Sequence, residues 1–468
     1  MTIGISVGDA TRHRKRPMVT LVIIALNVAV YALTSYANFF LEVSDYWVSA
    51  GGFVPSLIAM PTQWYRIFAS MFLHADFFHI LFNMYFLYLF GRAVENALGG
   101  LRYLTLYLIS GIAASIFHTT FSFLGGFTAY IISAIGASGA ISGILGAYLI
   151  LYPGTSLVMG MFFIFPLFFR MKAAYYILLW FATQIISGYA RAAGSTAVFA
   201  HAGGFIAGIA LLPLLADKGR ISQFKLLQKA VFPSYLTFMP SKKVGLSRVT
   251  KTVVAVLIAS LLIGTAYAST GLSNQGSIKS ATISYTYEDT PYMDYFGVQL
   301  PDVESQLASI SLDTTRILLN RLYAAGLLYN PLNRDSNINL NNWNREIPVK
   351  VYVGTWSTVV YVNTTIGYFK GTYDLEGFLE HGIGNLTTQA LNIQLISGRI
   401  SVTPSGPITY NFELNTQTVN LTEVTQYTGI PSLFATAVAL VVTIKKDREL
   451  TLIGEEPETF WRRFEPII

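Results

Sequence analysis

Three short stretches place polar or ionisable side chains inside otherwise apolar sequence. In FLHADFFHILFNMYF, His79 and Asn83 stand four apart, on one face of a helix. In AIGASGAISGILGA, Ser138 lies among Gly136, Gly139, Gly143 and Gly146. In VFAHAGGFIAGIA, His201 precedes Gly204 and Gly208. Polar groups inside membrane-length segments are costly and are candidates for function by default. A serine with an imidazole base is a pairing for nucleophilic catalysis. Each stretch also has a plainer reading. Small residues at this spacing mark close helix packing, a lone histidine can be a hydrogen-bonded core residue, and His79 with Asn83 can hold a loop. Together, at one depth beside glycine-lined helices, the four residues argue against coincidence.

Competing chemistries are separated by residue type. The chain has no cysteine, so thiolate metal sites and cysteine nucleophiles are excluded and a nucleophile must be an oxygen or an amine. No HExxH string occurs, and His74 and His79 are five apart, off a common helix face, so no metal and no cofactor are expected. A two-carboxylate membrane site fails because the outer halves of the spans offer only Asp76, at an end. The soluble G-x-S-x-G elbow fails at Ala140.

The elements that must position these residues are membrane helices. Of 468 residues, 53% are hydrophobic and 12% charged, against roughly 25% charged in soluble domains. Apolar windows place spans near 19–38, 77–95, 102–122, 137–152, 172–189, 197–215, 252–269 and 427–444. Arg12, Arg14, Lys15 and Arg16 precede the first span, which reads as an uncleaved anchor with a cytoplasmic N-terminus. Alternate threading then puts Arg92, Arg102, Arg170, Lys172 and the basic run from Lys218 through Lys251 inside, and leaves Arg191 in a short outer loop. The formal charge of +6 is thus assigned to membrane orientation, with no nucleic-acid partner. Val158 to Phe169 is too short to span and reads as an interfacial or protein-packed segment on the cytoplasmic side.

Beyond the seventh span, residues 270–426 are polar and strand-like. VKVYVGTWSTVVYV and NIQLISGRISV read as hairpins, and helical spacing recurs between Val303 and Leu328. Three sequons, at Asn363, Asn385 and Asn420, suit an outside location. Lys445, Lys446 and Arg448 follow the last apolar run and favour an eighth span over a buried element of the outer domain. No repeat of 20 to 50 residues is visible.

The three stretches resemble the rhomboid family. The segment from Trp64 through HADFFHILFN to Gly91, Glu95 and Gly99 looks like its first outer loop and second span. Gly136, Ala137, Ser138 and Gly139 match its G-x-S-G motif, and Ala200, His201, Gly204 and Gly208 match its A-H-x-x-G-x-x-x-G motif. The resemblance covers about residues 17 to 216. It implies a six-helix bundle with a short central fourth helix, and a serine at the floor of a water-filled cavity opening outward. It implies Ser138 as nucleophile and His201 as general base and acid. His79, Asn83 and the Ser138 backbone N–H would be oxyanion donors, with Gly136, Gly139, Gly204 and Gly208 supporting. Ser142 stands where the family often has an aromatic that packs on the histidine, and Tyr65 separates Trp64 from Arg66, where Trp-Arg is usual. Glu95 reads as a structural cap, and His74 and Arg66 as loop-holding residues.

The expected fold class is therefore an all-α polytopic membrane protein. A six-helix rhomboid bundle is joined by one or two additional C-terminal transmembrane helices and an α/β-mixed extracytoplasmic domain on the side of the site's mouth. The expected division is a basic cytoplasmic N-terminus (1–18), protease domain (19–216), basic cytoplasmic linker (217–251), seventh helix (252–269), extracytoplasmic domain (270–426), eighth helix (427–444) and cytoplasmic tail (445–468). The expected activity is serine-type endopeptidase action on transmembrane protein substrates within the lipid bilayer, in the plasma membrane of a prokaryotic cell. The resemblance implies small residues at the cut and helix-breaking residues beyond it. The alternatives are an inactive rhomboid-like protein that holds client helices, and a transporter, whose inverted repeats are not visible.

Overall fold

A computed structural model describes residues 2–5, 16–162, 166–192, 197–217, 219, 220, 222, 245–307, 310, 312–353, 356–396 and 399–455. Arg12, Arg14 and Lys15, most of the 217–251 linker and residues 456–468 of the expected tail lie outside the described residues. The chain divides into two units, Met1–Ser44 with Gly51–Gln275 and Thr422–Ile468, and Asp45–Ala50 with Gly276–Leu421.

Long apolar stretches leave a helix as the economical way to satisfy every backbone group without water. The first unit accordingly consists mainly of helices α1 (Met18–Ser35), α2 (Phe77–Leu98), α3 (Gly100–Phe121), α4 (Ser138–Leu151), α5 (Ala173–Tyr189), α6 (Val198–Leu215), α7 (Arg248–Ser269) and α8 (Leu421–Val441). Among the described residues, six helical segments are long and apolar enough to cross a bilayer: Met18–Asn38, Phe77–Leu98, Gly100–Leu124, Val198–Leu215, Arg248–Ser269 and Leu421–Leu450. The chain is a polytopic integral membrane protein.

Helix α4, read in the sequence as a span, has 14 residues, about 21 Å at 1.5 Å per residue. It is buried from Gly139 through Leu151, so protein and not lipid surrounds it. Its glycines permit that enclosure. A methyl group at Gly204 on α6 would collide with the Gly139 carbonyl, one at Gly208 with the Gly143 carbonyl, and one at Gly146 with the Phe205 carbonyl. The two helices therefore meet backbone to backbone, as small residues allow.

Polar side chains cap the starts of α1 and α7. Glu95, 7% exposed, accepts from the Val19 N–H at 2.9 Å, the Thr20 N–H at 2.8 Å and Thr20 Oγ1 at 2.7 Å. The first N–H groups of a helix lack intrahelical acceptors, and negative charge there is favourable. Glu95 thus fastens the start of α1 to the last turn of α2. At α7, Ser247 accepts from the Thr250 N–H at 3.1 Å, and Glu455 accepts from Thr250 Oγ1 at 2.9 Å.

Three boundaries differ from the sequence reading. Helix α7 begins at Arg248, not 252, because Ser247 caps it. Helix α8 begins at Leu421, not 427, with its polar first turns held inside the bundle: Thr425 bonds the Tyr130 hydroxyl, and Ser432 lies 2.9 Å from Thr120 Oγ1. The segment Val158 to Phe169 forms strands β2 (Ser156–Phe162) and β3 (Pro166–Lys172), with β1 (Thr2–Ile5) antiparallel on the other edge of β2. A run too short to span satisfies its backbone by pairing, and Pro166 takes the first strand position, where proline is tolerated.

In the second unit, β4 (Ser277–Tyr287), β5 (Thr290–Val298), β6 (Asn337–Val353), β7 (Trp356–Tyr373), β8 (Leu379–Ile396) and β9 (Arg399–Asn420) form one sheet. Its order is β5-β4-β9-β8-β7-β6, with every pairing antiparallel. The two expected hairpins are β6–β7 and β8–β9, and the expected helical stretch is Val303–Leu307 plus Asp313–Ala324. Leu318, Leu319 and Leu322 of the longer helix are fully buried in one core with Ile283, Phe369 and Leu386 of the sheet. Cross-strand polar pairs include His381 with Asn415 at 2.8 Å, Asn385 with Asn411 at 2.8 Å and Thr387 with Thr409 at 2.9 Å. Period-two alternation thus produces a buried apolar face and a polar one.

Candidate active site

The site is assembled from the start of α4, the first turns of α2 and α6, and α5. The approach to α4 is fixed by Gly136, whose φ of +124° lies in the region that favours glycine, and whose N–H donates to the Ser70 carbonyl at 2.8 Å. A Cβ at Gly136 would stand 2.8 Å from His79 Nε2 and 3.6 Å from Ser138 Oγ. Any side chain there would occupy the space between these two groups. Ser138 is the first residue of α4, so its N–H belongs to the turn that has no intrahelical acceptor.

His201 Nε2 lies 2.8 Å from Ser138 Oγ. Its Nδ1 lies 2.8 Å from Gln184 Oε1, on α5. An amide oxygen only accepts, so Nδ1 carries the proton of a neutral ring and Nε2 presents its lone pair to the serine hydroxyl. Ser142 makes no such contact; its hydroxyl donates to the Ser138 carbonyl at 2.6 Å. The Trp180 ring, one turn before Gln184, lies 6.0 Å from the imidazole, tilted by 37°.

Asp76 caps α2 by accepting from the His79 N–H at 2.9 Å. His79 Nδ1 accepts from the Ala75 N–H at 3.2 Å, so a neutral His79 bears its proton on Nε2, the nitrogen beside Gly136. Asn83, 7% exposed, donates through Nδ2 to the His79 carbonyl at 2.8 Å. That bond uses one of the two amide donors. The structure thus brings Ser138 and His201 into direct contact, sets His79 across Gly136, and turns Asn83 toward its own helix. Gly139, Gly204 and Gly208 lie at the α4–α6 contact.

The loop before α2 is built around two buried polar side chains, Arg66 and His74. Arg66, 1% exposed, donates to Gln63 Oε1 at 2.7 Å and to the Gly52 carbonyl at 3.1 Å. His74 is fully buried, and loss of solvation, followed by the neighbouring His79, pushes its imidazole down to about 3. Neutral His74 donates from Nδ1 to the Phe72 carbonyl at 3.3 Å and accepts the Ala137 N–H at Nε2, 3.4 Å. It therefore holds the residue before Ser138 as well as its own loop, a second contact that sequence spacing does not reveal. Gln184 was missed altogether; its one signal is a lone amide in the apolar run AAYYILLWFATQIISGY.

The fold and site define a polytopic membrane protein with a serine–histidine pair inside a helical bundle. A family model described as Rhomboid domain matches residues 61–218. The chain is 29% identical over 187 residues to Rhomboid protein 1, mitochondrial, of Saccharomyces cerevisiae, covering 40% of this chain and 50% of that protein. It is 32% identical over 139 residues to Rhomboid protease AarA of Providencia stuartii, covering 28% of this chain and 50% of that one. It is 37% identical over 92 residues to Putative rhomboid protease YdcA of Bacillus subtilis, covering 19% and 41%. Residues 61–218 thus match the rhomboid domain, and the chain is similar to rhomboid proteins over part of its length. It spans half or less of the length of each of these three relatives.

Proposed function

We propose that the chain is an intramembrane serine endopeptidase that cuts peptide bonds in or beside the transmembrane segments of membrane proteins. The observation that carries this reading is the 2.8 Å contact between His201 Nε2 and Ser138 Oγ. Hydroxyls are weak nucleophiles until a base takes their proton, and a base must reach hydrogen-bond distance to do so. Ser138 Oγ attacks the substrate carbonyl as its proton passes to His201 Nε2. Collapse of the tetrahedral intermediate expels the amine, which takes that proton, and leaves an ester on Ser138. Water, deprotonated by His201, then releases the new carboxylate.

The developing oxyanion would be met by the Ser138 N–H, by His79 Nε2–H and by the second Asn83 donor. One such donor typically contributes about 10²- to 10³-fold in rate. Closed helices offer no free carbonyl, so the substrate must unwind to be cut.

The basic residues preceding α1 and following α8 support a cytoplasmic N-terminus and tail, with α7 carrying residues 270–426 to the extracytoplasmic side. The testing experiment is labelling of the detergent-purified chain by a fluorophosphonate, which reacts with activated serines. Labelling that depends on Ser138 and His201 supports the reading, and an unlabelled, folded protein overturns it.

A further inference from the structure

The pair Ser138 and His201 does not stand alone, because the opposite edge of the imidazole is held at 2.8 Å by Gln184. We propose that Gln184 is the positioning residue of this site, a neutral third member that fixes the tautomer and the direction of His201. The inference rests on the protease reading above and names which residue makes that site competent.

A bare imidazole exchanges its proton between Nδ1 and Nε2 and turns about its side-chain bonds. Only the tautomer with the proton on Nδ1 offers Nε2 as a base, and a wrong tautomer leaves the geometry intact while removing the activity. The helix that carries Ser138 supplies no support, since Ser142 turns its hydroxyl back to the Ser138 carbonyl. The support comes from α5. Gln184 is itself oriented: its NH₂ faces the Trp180 carbonyl at 3.5 Å and Thr183 Oγ1 at 3.4 Å, which turns Oε1 toward His201 Nδ1. Trp180 flanks the same ring at 6.0 Å. An uncharged amide suits a membrane interior better than a carboxylate, because it accepts the Nδ1 proton without burying a second ion.

Two substitutions in the full chain separate positioning from packing. Gln184→Met keeps length and helix preference but removes the acceptor. Gln184→Glu keeps the acceptor. Gln184→Met is expected to lower kcat on a single-span substrate by about 10- to 100-fold, with KM and the thermal midpoint within error of the parent. The fluorophosphonate labelling rate should fall in parallel, and Gln184→Glu should recover at least a third of the parental rate. In protein carrying ¹⁵N-histidine, His201 Nε2 should lose its single unprotonated signature in the Met variant and regain it in the Glu variant. A Gln184→Met protein that labels and cleaves within threefold of the parent overturns the inference. So does a loss shared equally by the Glu variant and accompanied by a fallen midpoint, which marks packing alone. A parent that never labels instead removes the protease reading on which the inference stands.

Discussion

His201 Nε2 and Ser138 Oγ stand 2.8 Å apart although 63 positions separate the two residues in the chain. Their meeting follows from the contact of α4 with α6, where glycines at 139, 143, 204 and 208 bring the two backbones together. In the proposed mechanism, deprotonation of the serine depends on that spacing. His201→Ala is expected to reduce cleavage of a model transmembrane substrate to the level of a blank, with thermal stability little changed. Measurable turnover above a hundredth of the parent would assign the base elsewhere.

Removing an oxyanion donor should be less severe than removing the base. His79→Ala and Asn83→Ala are each expected to lower kcat by about 10²- to 10³-fold and leave residual activity, because the Ser138 N–H remains. Single-turnover cleavage with long incubation distinguishes residual from absent activity. Complete loss in both variants, equal to His201→Ala, would contradict this division of roles.

The α4–α6 contact sets a packing test. At Gly208 a methyl group meets the Gly143 backbone carbonyl, which no rotamer change relieves. Gly208→Ala is expected to cost about 1 to 3 kcal/mol, the range for overpacking a filled core. Activity should fall through the displaced histidine helix. A thermal midpoint equal to the parent's would show that the helices can part without penalty.

Glu95 gives a prediction of stability without chemistry. Its carboxylate accepts three hydrogen bonds at the start of α1. Glu95→Ala should cost about 1 to 3 kcal/mol, the penalty for buried donors left without a partner. Hydrogen exchange should rise in the first turn of α1 while the fluorophosphonate labelling rate per folded molecule stays within twofold.

In the sheet unit, Lys279 carries a side chain only 4% exposed and bonds Asp374 at 2.6 Å. Burial raises the Asp374 carboxyl, but the Lys279 ammonium and the Phe378 and Glu376 N–H groups outweigh it and hold it below the usual carboxylate range. A lowered folded value means that this stabilisation is complete above the ordinary range, near pH 4. It is lost as pH falls through the folded value. Exchange protection of β4 and β9 should therefore be flat from pH 7 to about 5 and drop below about 4. Asp374→Asn should flatten that drop, and an unaltered acid profile would show that other carboxylates govern it.

Much of the site was legible because the membrane restricts what polar residues can be doing there. Ser138, His201, His79 and Asn83 stood out against apolar surroundings, and Glu95 could be read as a cap before its partners at Val19 and Thr20 were seen. Gln184 was not legible. Its meeting with His201 depends on how α5 is rotated against α6, which no local spacing encodes. The β2–β3 hairpin escaped because a short apolar run has no period that separates strand from helix. Helix α8 starts before the apolar window because hydropathy finds the lipid-facing length, whereas Thr425 continues the helix against the Tyr130 hydroxyl and Thr428 bonds back to the Val424 carbonyl of its own helix.

The most direct measurement is fluorophosphonate labelling and substrate cleavage by the Ser138→Ala protein beside the parent, in the same detergent and at matched thermal midpoints. The hydroxyl is small and the following residue, Gly139, is buried against Ala114, so the alanine should leave the fold unchanged. The account expects strong labelling and cleavage by the parent and neither by the variant. Cleavage by Ser138→Ala at a tenth of the parental rate would contradict it, since the nucleophile would then be another group.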